Sequence, residues 1–166
     1  MVLLGLGAAG CSDDAAACGE PASSFVVTQS SVDHTCLHVT DGPFGDVTAA
    51  ANDAADGPLL ENEHMLYTIA LVDDGTGSYT GTVSFRPPFS ATYVFNTSED
   101  VPVAAVASDD KSAPCNAASQ ALENCQGLTH AELFTLEAKR TYLLRVGPTS
   151  SASIQAVVEE HIVAAN

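Results

Sequence analysis

Short runs of alternating apolar and polar residues, separated by turn residues, constrain the fold more than any other feature of this sequence. Apolar side chains occupy alternate positions in the stretches 65–71, 79–85 and 142–146. A period of two is typical of half-buried antiparallel strands. Turn signals such as Asp74-Gly75 and Gly147-Pro148 recur at the spacing of about 8–12 residues that sandwiches show. The pattern predicts an all-β fold, an antiparallel immunoglobulin-like or jelly-roll-like β-sandwich of about eight or nine strands.

The candidate strands cover most of the chain after residue 23. They are 24–29, 35–40, 45–51, 64–72, 78–86, 91–97, 101–107, 130–137, 140–147 and 153–160. Alanine and leucine in 116–124 favour a short helical stretch there. A chain of 166 residues suits one domain, predicted here over 24–163.

The N-terminus has the composition of an export signal. Residues 1–10 are apolar and small, Cys11 follows at once, and Ala, Ser, Asp, Gly and Pro make up much of 11–23. Ala8-Ala9-Gly10-Cys11 resembles the lipobox of bacterial lipoproteins. The resemblance implies a truncated lipoprotein signal over 1–10, a lipid on Cys11, a flexible tether over 11–23 and attachment to the cell envelope. Ser12 in the second mature position favours the outer membrane, facing the periplasm or the cell surface.

Four cysteines remain once Cys11 is assigned to the lipid: Cys18, Cys36, Cys115 and Cys125. An even number in an exported chain indicates two disulfides. Three pairings are possible. Local closure favours Cys115–Cys125, which leaves Cys18–Cys36. Thiolate ligation of zinc is the alternative, but no C-x-x-C spacing is present.

The charge is strongly acidic, with 21 Asp and Glu residues against 5 Lys and Arg and a net charge of −16. Binding of nucleic acid requires basic residues that neutralise phosphates, so nucleic acid is excluded as a partner. The acidity favours either solubility outside the cytoplasm or attraction of cations.

Two further resemblances support an extracytoplasmic β-sandwich. A strand from His64 to Leu71 and a later stretch over 136–147, with Tyr142 and Gly147, are similar to the bacterial pre-peptidase C-terminal domains, which are non-catalytic accessories of secreted proteins. Another set of motifs resembles a group of uncharacterised lipoproteins of Gram-negative bacteria. That set comprises Cys36, His38, Gly42-Pro43, Val47-Thr48-Ala49, His64, Gly147-Pro148 and Val157-Val158-Glu159.

Histidines are the residues with the greatest potential for chemistry. His38, His64 and His130 lie at predicted strand ends or turns, and strand ends from distant parts of a sandwich converge at one pole. Together with Glu159 they predict a site for Zn(II) or Cu(II). His34 and His38 would lie about 13 Å apart on a strand, too far for one ion unless that segment turns, and His161 ranks below the other three. The alternative is that these are ordinary histidines with hydrogen-bonded neighbours.

Enzymatic function is not predicted. The sequence contains no G-x-S-x-G or H-E-x-x-H motif, and adjacent Glu159 and Glu160 point to opposite faces of a strand. The sequence therefore favours a lipid-anchored binding protein, with a divalent metal as the first candidate ligand. The second hypothesis is a non-catalytic adhesion or accessory module that binds a protein or another envelope partner without metal.

Overall fold

The computed structural model describes residues 26–114 and 117–161. Within those ranges the chain forms one helix and ten strands. They are α1 (Gln29–Asp41), β1 (Phe44–Thr48), β2 (Leu66–Ala70), β3 (Val72–Asp73), β4 (Tyr79–Phe85), β5 (Ala91–Thr97), β6 (Val103–Ala107), β7 (Ala117–Ala121), β8 (His130–Leu136), β9 (Tyr142–Thr149) and β10 (Ser153–Glu160).

The strands form two sheets that enclose the main hydrophobic core. The larger sheet has the order β1-β2-β10-β5-β8-β7 and the smaller one β3-β4-β9-β6. Tyr67 and Phe95 of the larger sheet pack with Val83, Tyr142 and other residues of the smaller one. The predicted all-β sandwich is confirmed. Strand pairing is antiparallel except between β1 and β2, which are parallel.

Several predicted elements differ from those observed. The predicted strand 64–72 is divided, because β2 belongs to the larger sheet and β3 to the smaller one. The helical prediction over 116–124 is wrong: residues 117–121 form β7, whose pairing with β8 outweighs the helical propensity of their alanines. The strand predicted over 35–40 is also wrong, because those residues lie in α1.

Helix α1 forms a third layer on the outer face of the larger sheet. Val32, Cys36 and Val39, on one side of the helix, pack with Leu66 and Val157 of the sheet. These apolar residues recur at intervals of four and three, which places them along one helical face. The helix therefore covers β2 and β10 from outside the sandwich.

A disulfide between Cys36 and Cys125 holds α1 against the turn that follows β7, with 5.6 Å between the two Cα atoms. The predicted pairs Cys18–Cys36 and Cys115–Cys125 are therefore wrong, since each assigns a different partner to one of these two cysteines. The reason is the helix, which carries Cys36 across the sheet to a residue distant in sequence. Cys18 and Cys115 lie outside the described residues.

The predicted signal segment, tether and lipidated Cys11 also lie outside the described residues. No helix within 26–114 and 117–161 combines the length and the apolarity that a membrane crossing requires.

Candidate metal centre

Three separate parts of the chain bring four polar side chains together between α1 and the larger sheet. Helix α1 contributes His34 and His38, the turn before β2 contributes His64, and β10 contributes Glu159. One potential ligand atom from each residue lies within 4.8 Å of those from the other three.

Clear signals at its two ends determine the extent of α1. The Thr28 hydroxyl accepts a hydrogen bond from the Ser31 N–H at the N-terminus, as a preferred N-cap residue does. At the other end, Gly42 adopts a φ of +73° and its N–H donates to the His38 carbonyl, a conformation suited to glycine. Because residues four apart share a helical face, His34 and His38 lie side by side, with ring centroids 5.1 Å apart.

The sheet brings the other two residues to the same place. The backbone N–H of His64 donates to the Val158 carbonyl at 3.0 Å, which holds His64 beside the end of β10. Glu159 is the next residue and its side chain points towards α1, where it contacts Thr35. His64 has a φ of +59°, a left-handed conformation that is uncommon for residues other than glycine.

Three of the six distances between the ligand atoms are close to those expected around a tetrahedral ion. Nδ1 of His64 lies 3.4 Å from Nε2 of His34 and 3.5 Å from Oε1 of Glu159. The same carboxylate oxygen lies 3.5 Å from Nε2 of His38. Ligand bonds of about 2.1 Å to a tetrahedral zinc ion separate the ligand atoms by about 3.4 Å. These residues can therefore hold a metal ion.

Two of the ligand atoms are buried and have no hydrogen-bond partner within the described residues: Nε2 of His38 and Oε1 of Glu159. Burial is nearly complete, since the two side chains are 12% and 7% exposed. Buried polar atoms are almost always satisfied. A cation between the two would satisfy both atoms.

The hydrogen bonds around the cluster orient these two side chains. Nδ1 of His38 lies 3.0 Å from the Gly42 carbonyl oxygen, which can only accept, so Nδ1 carries the proton and Nε2 of the neutral ring has a free lone pair. The Thr35 hydroxyl donates to Oε2 of Glu159 at 2.6 Å, which leaves Oε1 available. Such outer contacts orient ligands in metal sites.

Neighbouring titratable groups respond to burial. Burial lowers the pKa of His161, which favours the neutral form of its ring. Burial also raises the pKa of Glu63, an effect that the nearby His64 partly opposes.

His130 does not join this cluster, and the prediction that groups it with His38 and His64 is wrong. Thr97 of β5 pairs with both His130 and Ala156, so His130 is level with Ala156, three residues before Glu159, and β5 separates the two strands. This places His130 about 10 Å along the sheet and about 10 Å across it from Glu159.

The surroundings of His130 differ from a catalytic triad. Its Nε2 lies 2.6 Å from the Ser119 hydroxyl, 3.5 Å from Asp100 and 3.6 Å from Glu132. All three groups approach the same ring nitrogen, whereas a triad requires the carboxylate on the opposite nitrogen. Burial raises the pKa of Glu132, and the Ser119 hydrogen bond opposes this effect.

The structure thus brings together His38, His64 and Glu159 of the predicted set and adds His34. On a predicted strand, His34 lies too far from His38 to share an ion with it. Thr28 is a start signal for a helix, and Gly42 followed by Pro43 is a stop signal. A helix between them places His34 next to His38.

No protein-family model matches the chain, and neither curated proteins nor solved structures show significant similarity to it.

Proposed function

We propose that this protein binds a divalent transition-metal ion, Zn(II) or Cu(II), through His34, His38, His64 and Glu159. The observation that carries the proposal is the convergence of four ligand atoms, two of them buried without a partner among the described residues. Three imidazoles and a carboxylate suit either ion, and the absence of sulfur from the set argues against Cu(I).

The spacing favours zinc over copper. Adjacent ligands in a square-planar copper site with bonds of about 2.05 Å would lie about 2.9 Å apart, against about 3.4 Å in a tetrahedral zinc site. Three of the six ligand–ligand distances, at 3.4–3.5 Å, are close to the tetrahedral value. The net charge of −16 adds a long-range attraction for cations.

We further propose that the protein works outside the cytoplasm, anchored to the bacterial envelope by a lipid on Cys11. The disulfide between Cys36 and Cys125 supports an oxidising compartment. The lipobox-like Ala8-Ala9-Gly10-Cys11 is the basis for the anchor. Mass spectrometry of the N-terminal peptide from the native host tests it: an unmodified Cys11 would contradict the anchor and leave the metal site unaffected.

Metal binding is tested by elemental analysis of the purified protein after exposure to zinc and removal of free ions. We expect one zinc ion per chain in the wild type and none in the double variant His38→Ala/His64→Ala. The control is His130→Ala, which removes a histidine outside the cluster that is as buried as His38 and should retain the ion. Urea unfolding in the presence of chelator checks that all three proteins fold. A folded wild type without metal would refute the proposal and favour the metal-free adhesion or accessory module.

A further inference from the structure

A cavity of about 380 Å³ adjoins the candidate metal centre. Its walls include His34, His64 and Glu159, whereas His38 is absent from them. The volume is near the lower end of those typical of small-molecule sites. The cavity is therefore large enough for a small organic molecule in direct contact with the metal ligands.

The two most exposed ligands of the centre, His34 and His64, both lie in the cavity wall. His38 and Glu159 have side chains 12% and 7% exposed, whereas that of His64 is 43% exposed. His34, also in the cavity wall, is exposed. Because catalytic zinc sites sometimes expand from four ligands to five, an ion in this position can accept one further ligand from the cavity.

A second group in the cavity wall needs a partner. Asn96 is 1% exposed and lines the cavity, and its Oδ1 is buried without a hydrogen-bond partner among the described residues. Asn96 lies two residues along β5 from Val94, which pairs with Glu159. Asn96 and Glu159 are therefore diagonal neighbours on adjacent strands, and the Cα atoms of such neighbours lie about 7–8 Å apart. One small molecule can therefore span the metal and the amide.

The lining determines the chemistry of that molecule. Val27 and Val94 provide apolar walls, while Glu160 adds a negative charge, which disfavours an anionic ligand. The amide oxygen of Asn96 needs a donor. The hydroxyls of Thr28, Ser30 and Ser31 can donate or accept, so they do not discriminate between ligands.

We infer that this cavity binds a small nitrogen base, with one nitrogen lone pair on the metal and one N–H group donating to Oδ1 of Asn96. An unsubstituted azole such as imidazole has both groups in one ring. The inference rests on the proposed metal function, because the ion supplies one of the two attachment points.

The experiment compares two probes on the full protein loaded with Co(II), whose visible absorption reports its coordination. Imidazole carries a lone pair and an N–H, whereas 1-methylimidazole keeps the lone pair and lacks the N–H. We expect both to change the spectrum, and Asn96→Leu to weaken imidazole binding about five- to tenfold without affecting 1-methylimidazole. Asn96→Asp retains acceptor oxygens and should keep the preference for imidazole over 1-methylimidazole.

The outcomes separate this inference from the proposed function. Bound Co(II) whose spectrum does not respond to either base would overturn the inference and leave the metal function standing. Equal weakening of both bases in Asn96→Leu would also overturn it, because the N–H would then have no role. Failure of the folded wild type to bind Co(II) or Zn(II) would overturn both.

Discussion

Replacing Thr35 with valine removes one hydroxyl from the wall of the candidate metal centre and leaves the side-chain volume almost unchanged. That hydroxyl donates to Oε2 of Glu159 at 2.6 Å, and both residues are buried. Loss of an outer contact to a metal ligand typically weakens metal binding about 10–100-fold, or about 1.4–2.7 kcal/mol. In the metal-free protein, loss of a hydrogen bond to a buried charged group lowers the free energy of unfolding by about 1.5–3 kcal/mol.

The matched control is Thr40→Val on the same helix. The Thr40 hydroxyl is exposed and donates to the Leu37 carbonyl, so both variants make the same change of side chain and only Thr35→Val affects Glu159. Zinc affinity is measured by competition with a chromophoric chelator, and stability by urea unfolding in EDTA. If the two variants bound zinc within twofold of each other, Thr35 would not orient Glu159 as a ligand.

Three further predictions concern stability. Zinc at a thousand times its dissociation constant should raise the free energy of unfolding by about 4 kcal/mol over that in EDTA; coincident urea curves would contradict specific binding. The double variant Cys36→Ser/Cys125→Ser should lose about 2–5 kcal/mol of unfolding free energy. It should also bind zinc more weakly, because the disulfide holds α1, which carries two of the ligands. Unchanged zinc affinity would show that packing alone positions the helix. Burial raises the pKa of Tyr93 to about 12, so the folded state retains a proton that the unfolded state loses above about pH 10. Stability should therefore decline between about pH 10 and 12, and Tyr93→Phe should show a shallower decline in urea titrations over that range; equal slopes would refute this assignment.

Much of the sandwich can be predicted from the sequence because alternation reports which face of a strand is buried. Predicted strands 91–97 and 153–160 coincide with β5 and β10, and the alternating Tyr142, Leu144 and Val146 lie in the main core. Pairing between distant strands is less accessible. The parallel pair β1–β2 joins strands that a long loop separates, and β7 is strand only through its pairing with β8. Local composition identifies neither pairing.

The candidate site was only partly predictable because it depends on one helix. Residues 29–41 include β-branched Val32, Thr35 and Val39, residue types that favour strands. Tertiary packing on β2 and β10 and the disulfide outweigh that preference. Once the segment is helical, His34 lies beside His38 and Cys36 reaches Cys125. If the same segment is predicted as a strand, both the fourth ligand and the disulfide pairing are assigned wrongly.

The left-handed backbone of His64 places a candidate metal ligand where a side chain lowers stability. Selection for stability alone would favour glycine at a φ of +59°, because a side chain there costs about 1–2 kcal/mol. Glycine has no imidazole, so the local conformational cost and the potential ligand come together at one position. Such conflicts between local preference and structure tend to concentrate at functional sites. Variants selected for thermal stability would accordingly be expected to replace His64 early and to lose metal binding while the sandwich remains intact.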